Sequence, residues 1–128
     1  MTTGLTPSEL QKMRAFQARK QKRLNRRRSD LLAKAGKDFQ RIVAMIIEKY
    51  QPGRIYQWGS LMDEGRFRSY SDIDIAVEGI TDPQTFFALL DDADRLTDFP
   101  VDIVMMETIH PLHAQSIRSK GKIVYEKK

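Results

Sequence analysis

The chain has 128 residues, 41% of them hydrophobic and 30% charged, with a net charge of +5 and no cysteine. That length suits one domain around one core, and the lack of cysteine excludes a disulfide scaffold or a thiolate metal site and fits a reducing cytoplasm. No apolar run approaches the roughly 20 residues needed to cross a bilayer, and the basic first 30 residues hold no apolar segment of the secretory kind, so neither a signal nor a membrane partner is predicted.

Taken in order, the chain opens on Thr6-Pro7-Ser8-Glu9, where Thr6 can cap a helix, Pro7 suits its first position and Glu9 completes a capping box. No proline interrupts the pattern before Tyr50, and only Gly36 weakens it. Leu31, Leu32, Ala35, Phe39, Ile42, Val43, Ile46, Ile47 and Tyr50 fall on one stripe, as expected of a helix packed on a core. The earlier half differs. Leu10, Met13 and Phe16 make a short apolar ridge, and Arg19 to Arg28 is nearly all polar apart from Leu24. The pattern predicts one long helix, or two with a break near Ser29-Asp30, whose first part projects from the body. It divides the chain into a basic helical extension over 1–30 and a domain over 31–128.

Gln51-Pro52-Gly53 is a strong stop. Strands are expected at Arg54 to Trp58, Ile73 to Val77 and Val101 to Val104, the last two alternating strictly. A helix opened by Asp82-Pro83 carries Phe86, Phe87, Leu89, Leu90, Ala93 and Leu96 between them. A final helix over Thr108 to Ser119 leads into a short strand from Lys122 to Tyr125. The fold class is therefore α/β (α+β), a small mixed sheet of three or four strands packed by helices.

Charge is divided along this order. Residues 1–54 hold 14 Lys/Arg against 4 Asp/Glu, whereas residues 55–128 hold 8 against 13. A basic head on an acidic body suggests two jobs. An acidic body needs cations to handle a phosphate, and a metal is the natural supply.

Along a strand, side chains at i and i+2 share a face, so Asp72 and Asp74 project together while Ile73, Ile75 and Val77 enter the core. Two such carboxylates repel unless a cation lies between them, and an all-oxygen set favours Mg²⁺ or Mn²⁺ over zinc. Asp102, between Val101 and Ile103, can complete a three-carboxylate cluster from the neighbouring strand. A cluster of this kind can hold two metals about 4 Å apart. Each aspartate also has a plain reading as the wet face of a half-buried strand. Upstream, Gly59-Ser60 follows a strand; the glycine allows close backbone approach, and a helix starting at Ser60 would aim N–H groups at an anion.

Gly59-Ser60, then Asp72-x-Asp74, then Asp102 in a later strand resembles the DNA polymerase beta-type nucleotidyltransferase superfamily. The short length resembles its minimal nucleotidyltransferase (MNT) branch, whose members are often paired with HEPN toxins. The resemblance covers roughly residues 40–125 and leaves out the basic head. It implies that Asp72, Asp74 and Asp102 bind two Mg²⁺ and that Gly59 and Ser60 hold the triphosphate of ATP. A hydroxyl then attacks the α-phosphate and pyrophosphate leaves. It further implies that the acceptor is a tyrosine of a HEPN-type toxin, silenced by AMP, with this chain as the antitoxin. The sequence departs from the branch after the turn. Ser60 lies one residue further from Asp72 than usual, and Leu61-Met62-Asp63-Glu64-Gly65 replaces the common Arg-Gly pair. Arg66 and Arg68 are the candidates to restore the missing charge.

Other residues have plainer expectations. Asp102 can alternatively serve as the general base. His110 and His113 suit surface or packing roles, Trp58 suits the core, and Phe67 and Tyr70 lie in the loop over the site. The basic run Arg19 to Arg28 reads as a solvated face, as a docking surface for an acidic protein or a second copy, or as a phosphate-neutralising nucleic-acid surface. Two rivals to catalysis follow: an interaction module that neutralises its partner by occlusion, and nucleic-acid binding through the basic helix.

Overall fold

A computed structural model describes residues 4–62 and 71–128. Helix α1 spans Pro7–Tyr50, 44 residues without a break at Ser29-Asp30, or about 66 Å of helix. It starts as its sequence suggests: the Thr6 hydroxyl accepts from the Glu9 N–H at 3.2 Å, with Pro7 in the first turn. It ends at Gln51, whose left-handed backbone (φ 50°) turns its N–H onto the Ile46 carbonyl at 3.2 Å. Residues 4–30 are exposed throughout, and the buried positions begin at Ala35. A Cβ on Gly36 would meet nothing within 4 Å. Gly36→Ala is therefore expected to stabilise the protein by about 1 kcal/mol through helix propensity. Urea unfolding would show it as a higher midpoint at unchanged slope.

After α1 come β1 (Arg54–Trp58), a single 3₁₀ turn at Ser60–Met62, β2 (Ile73–Glu78), α2 (Pro83–Asp94), β3 (Val101–Met105), α3 (Pro111–Lys120) and β4 (Lys122–Glu126). The sheet order is β3-β2-β1-β4, with β1 antiparallel to both neighbours and β2 parallel to β3 across the α2 crossover. Asp82 caps α2, its carboxylate accepting from the Thr85 N–H at 2.9 Å and hydroxyl at 2.7 Å, which holds its pKa below the ordinary value.

Period-2 alternation sends the two sets of strand side chains into separate cores. Ile55, Ile73, Ile75 and Val77 pack with Ile42 and Ile46 of α1 and Leu89 of α2. On the opposite face Tyr56 and Ala76 pack with Met106 and with Ala114 and Ile117 of α3. Helix α2 is tied to α1 at its far end, where the Tyr50 hydroxyl donates to Asp92 Oδ2 at 2.5 Å. Burial, then that bond, pushes the Tyr50 phenol up to about 12. Nearby, buried Asp38 accepts from the Thr97 hydroxyl at 2.7 Å, and Lys34 and Arg41 lie within 4 Å of it.

Two expectations need correction. Phe87 is 67% exposed rather than part of the α2 core face, because a helix can bury Phe86 and Leu89 together but turns position 87 away. Thr108 belongs to a turn, and α3 begins three residues later, where His110 Nδ1 accepts from the Leu112 N–H at 3.1 Å. The helix expected from Ser60 falls largely on residues 63–70, outside the described residues; Ser60–Met62 itself forms a single 3₁₀ turn.

Candidate functional site

Parallel pairing of β2 with β3 places Asp74 directly opposite Asp102, and Asp72 immediately precedes β2. One carboxylate oxygen from each of the three lies within 4.8 Å of the others. Asp72 and Asp102 are exposed and Asp74 is half-buried. Burial first, then the charges of Asp102 and Asp72, raises the Asp74 carboxyl to about 7. A trio that resists full ionisation near neutrality gains most from a divalent cation, which offsets the repulsion. Hard oxygen donors suit Mg²⁺ or Mn²⁺.

The pH consequence has a definite sign. Between its ordinary value of 3.8 and about 7, Asp74 binds more proton in the folded chain than in the unfolded chain. The metal-free fold is thus favoured by this group at acid pH and loses that stability as pH rises through about 7. Asp74→Asn is expected to raise the melting temperature of the metal-free protein by a few degrees at pH 8 and by much less at pH 4.5, close to the unfolded carboxyl's ordinary value of 3.8. Melts in a chelator across that range would check this, and parallel curves for the two proteins would refute it.

Gly59 occupies the β1 end beside Asp74, since Trp58 is the Asp74 partner in the β1–β2 register. Its φ of +86° is left-handed. A Cβ there would overlap the Asp74 carboxylate, lying 2.7 Å from Cγ and 2.9 Å from Cβ. The sequence suggests this glycine clears space for a ligand; what it clears first is the carboxylate. Ser60 follows, partly buried, in the turn closed by the Met62 N–H on the Gly59 carbonyl at 3.2 Å.

Next to the turn is a cavity of about 410 Å³ lined by Trp58, Gly59, Met62, His113, Ser116 and Lys120 among others. That volume is in the range of small-molecule sites. Lys120 and Ser116 carried no sequence signal, because only the packing of α3 on the sheet brings them to the turn. His113 meets Trp58 edge to face, ring centres 5.1 Å apart, and the buried Trp58 Nε1 has no hydrogen-bond partner among the described residues. Arg66 and Arg68, with Asp63, Glu64, Phe67 and Tyr70, lie outside the described residues.

A mixed four-stranded sheet with acidic side chains where two parallel strands begin, backed by helices on both faces, is the architecture of an α+β nucleotidyltransferase domain. The sequence agrees: the model of the family described as Polymerase beta, Nucleotidyltransferase matches residues 40–128, and the chain belongs to that family. Among curated protein sequences none matches significantly. Solved structures similar in fold include the following three. One is the MntA–HepT toxin–antitoxin complex, 22% identical with a TM-score of 0.55 over 70% of this chain and 71% of that one. A second is a toxin–antitoxin complex with AMP-PNP, at 24% identity and a TM-score of 0.57, covering 69% and 73%. The third is a tri-AMPylated Shewanella oneidensis HEPN toxin in complex with MNT antitoxin, at 23% and 0.55, covering 73% of each. No described helix is long and apolar enough to cross a membrane.

Proposed function

We propose that this chain is a cytoplasmic Mg²⁺-dependent nucleotidyltransferase of the MNT antitoxin type, moving AMP from ATP onto a tyrosine hydroxyl of a HEPN-type toxin. The observation that carries this reading is the convergence of Asp72, Asp74 and Asp102 within 4.8 Å beside the Gly59 turn. The fold likeness to an AMP-PNP complex and to a complex with an AMPylated HEPN toxin supports the choice of nucleotide and acceptor.

In this reading the three aspartates hold two Mg²⁺, or Mn²⁺, which supply positive charge to the phosphates and acidify the attacking hydroxyl. Gly59 and Ser60 offer backbone N–H groups and a hydroxyl to the triphosphate, with Lys120 and the sequence-expected Arg66 and Arg68 adding charge. The acceptor oxygen bonds to the α-phosphorus as the bond to the bridging oxygen breaks, and pyrophosphate carries away the electron pair. The hydroxyl proton passes to Asp102 in its alternative role as general base, or to solvent where metal coordination alone acidifies the hydroxyl. Residues 31–128 form the transferase domain, residues 1–30 are an extension to it, and the acceptor is presented by the partner protein.

Calorimetric titration with ATP tests the site. Binding is expected to require Mg²⁺, and incubation of the toxin with α-labelled ATP should label it. Mg²⁺-independent binding, or an unlabelled toxin in a complex that binds Mg·ATP, would count against transfer and for neutralisation by occlusion.

A further inference from the structure

The exposed half of α1 and the exposed face of α2 are complementary surfaces, and one chain cannot bring its own pair together. Residues 7–30 carry nine lysines and arginines against Glu9 and Asp30. Among them Leu10, Met13, Phe16 and Leu24 are 40–55% exposed. Lys12, Met13, Phe16, Gln17 and Lys20 border one surface cleft. At helical spacing Leu10, Met13 and Leu24 continue the side of α1 that, from Ala35 onward, packs on the body. The side of α1 that packs on the body thus runs on for about 36 Å without cover, its apolar residues Leu10, Met13 and Leu24 spaced among Gln17, Lys20, Gln21 and Arg28.

Helix α2 shows the opposite character. Its inner side buries Phe86, Leu89 and Ala93, while Phe87, Asp91 and Asp94 share the outer face at i, i+4 and i+7. Phe87 is 67% exposed. Residues 82–98 hold five aspartates against Arg95. Asp91 pairs with Arg95 at 2.9 Å, Asp92 and Asp98 lie within 4 Å of Lys49 and Lys34 of α1, and Asp94 keeps an unpaired charge on the outer face among the described residues. An isolated apolar ring amid carboxylates faces solvent here; isolated apolar side chains amid ammonium and guanidinium groups face solvent on α1.

The unbroken helix carries residues 7–30 away from the body, so they cannot fold back onto the α2 of the same chain. We propose that two copies associate by reciprocal arm exchange, the basic half of α1 from each lying across the Phe87-Asp91-Asp94 face of the other. Direct pairing of two arms is opposed by their like charge. Nucleic acid would satisfy the basic residues and leave Leu10, Met13, Phe16 and Phe87 wet. Two-fold symmetry makes the contact twice, so each arm has to supply only half of the about 1,200–2,000 Å² of a standard interface. None of these residues belongs to the carboxylate site, and the inference stands or falls independently of the proposed reaction.

Charge reversal tests it on the full chain. Sedimentation velocity at about 50 µM should show a dimer at low salt that dissociates as salt screens the contact. Lys12→Glu/Lys20→Glu and Asp91→Lys/Asp94→Lys should each be monomeric, with dimerisation weakened at least tenfold. Mixed in equal amounts, the two variants should form a dimer again, because the reversed positions 12 and 20 of one then meet the reversed positions 91 and 94 of the other, while the second contact keeps its parent charges. All four side chains are exposed, and circular dichroism would verify that each variant folds. A monomeric parent protein, a dimer indifferent to either reversal, or a mixture that stays monomeric would overturn the proposal. A parent that stays monomeric but binds a 20-base-pair DNA or RNA duplex through the arm would overturn it in favour of a nucleic-acid surface.

Discussion

Asp72→Ala/Asp74→Ala is expected to abolish Mg²⁺-dependent ATP binding and to lower nucleotidyl transfer about 10³-fold or more, equivalent to about 4 kcal/mol of transition-state stabilisation. The size of the loss follows from geometry. Asp74 stands between its two partners, opposite Asp102 across the β2–β3 ladder and next but one to Asp72 along the chain. Removing Asp72 and Asp74 leaves Asp102, an exposed single carboxylate with weak affinity for a cation. The same substitution relieves the repulsion that raises the Asp74 carboxyl, so the variant should melt no lower than the parent in the absence of metal. Label transfer, calorimetry and thermal melts on one sample would separate the two effects. A variant that still labels its partner within tenfold of the parent rate would remove the aspartates from the mechanism. A variant that neutralises the partner without labelling it would establish occlusion.

The second large effect is expected from a single methyl group. Gly59→Ala must hold a left-handed backbone, at a cost of about 1–2 kcal/mol, and must displace the Asp74 carboxyl from the space its Cβ would enter. A displacement near 1 Å at a reacting centre costs on the order of 10²-fold in rate. Activity should therefore fall by about that factor, with the apparent affinity for Mg²⁺ reduced as well, while the far-ultraviolet dichroism stays that of the parent. Gly36→Ala supplies the contrast within the same chain, since its added methyl group meets nothing. If Gly59→Ala turned over normally, the turn and Asp74 would have to be mechanically independent.

The architecture was legible because its signals are local. Thr6 and Asp82 announce the two long helices by their own side-chain bonds, and the alternation of Ile73, Ile75 and Val77 marks the buried face of β2. The aspartate cluster was legible for a related reason: i and i+2 on a strand share a face whatever the sheet does. Features made by tertiary packing were not. Ala76 shares a face with Asp74 yet is fully buried, because α3 covers that face beyond the site, and periodicity cannot say how far a helix reaches. Lys120 and Ser116 arrive at the turn by the same packing. Phe87 looked like core because a dense apolar cluster hides which side of the helix faces inward. Gly59 stood out in the sequence as a glycine at a strand end, but its neighbour Asp74 is fifteen residues ahead in a chain whose register no local pattern reveals.

The parallel pairing of β2 with β3 also bears on the order in which the molecule matures. Asp74 and Asp102 are separated by a crossover helix and become neighbours only when β3 docks beside β2, among the non-local contacts that form slowly. Until then the chain holds Asp72 and Asp74 without the third carboxylate of the cluster. Under the proposed function, nucleotide competence is in this way a late product of folding. A chain stalled on the ribosome, or trimmed within the second half of the sheet, would be inert toward ATP even where its first strands had formed. On the proposed function, metal and nucleotide would bind only the finished fold and in turn hold the two strands together.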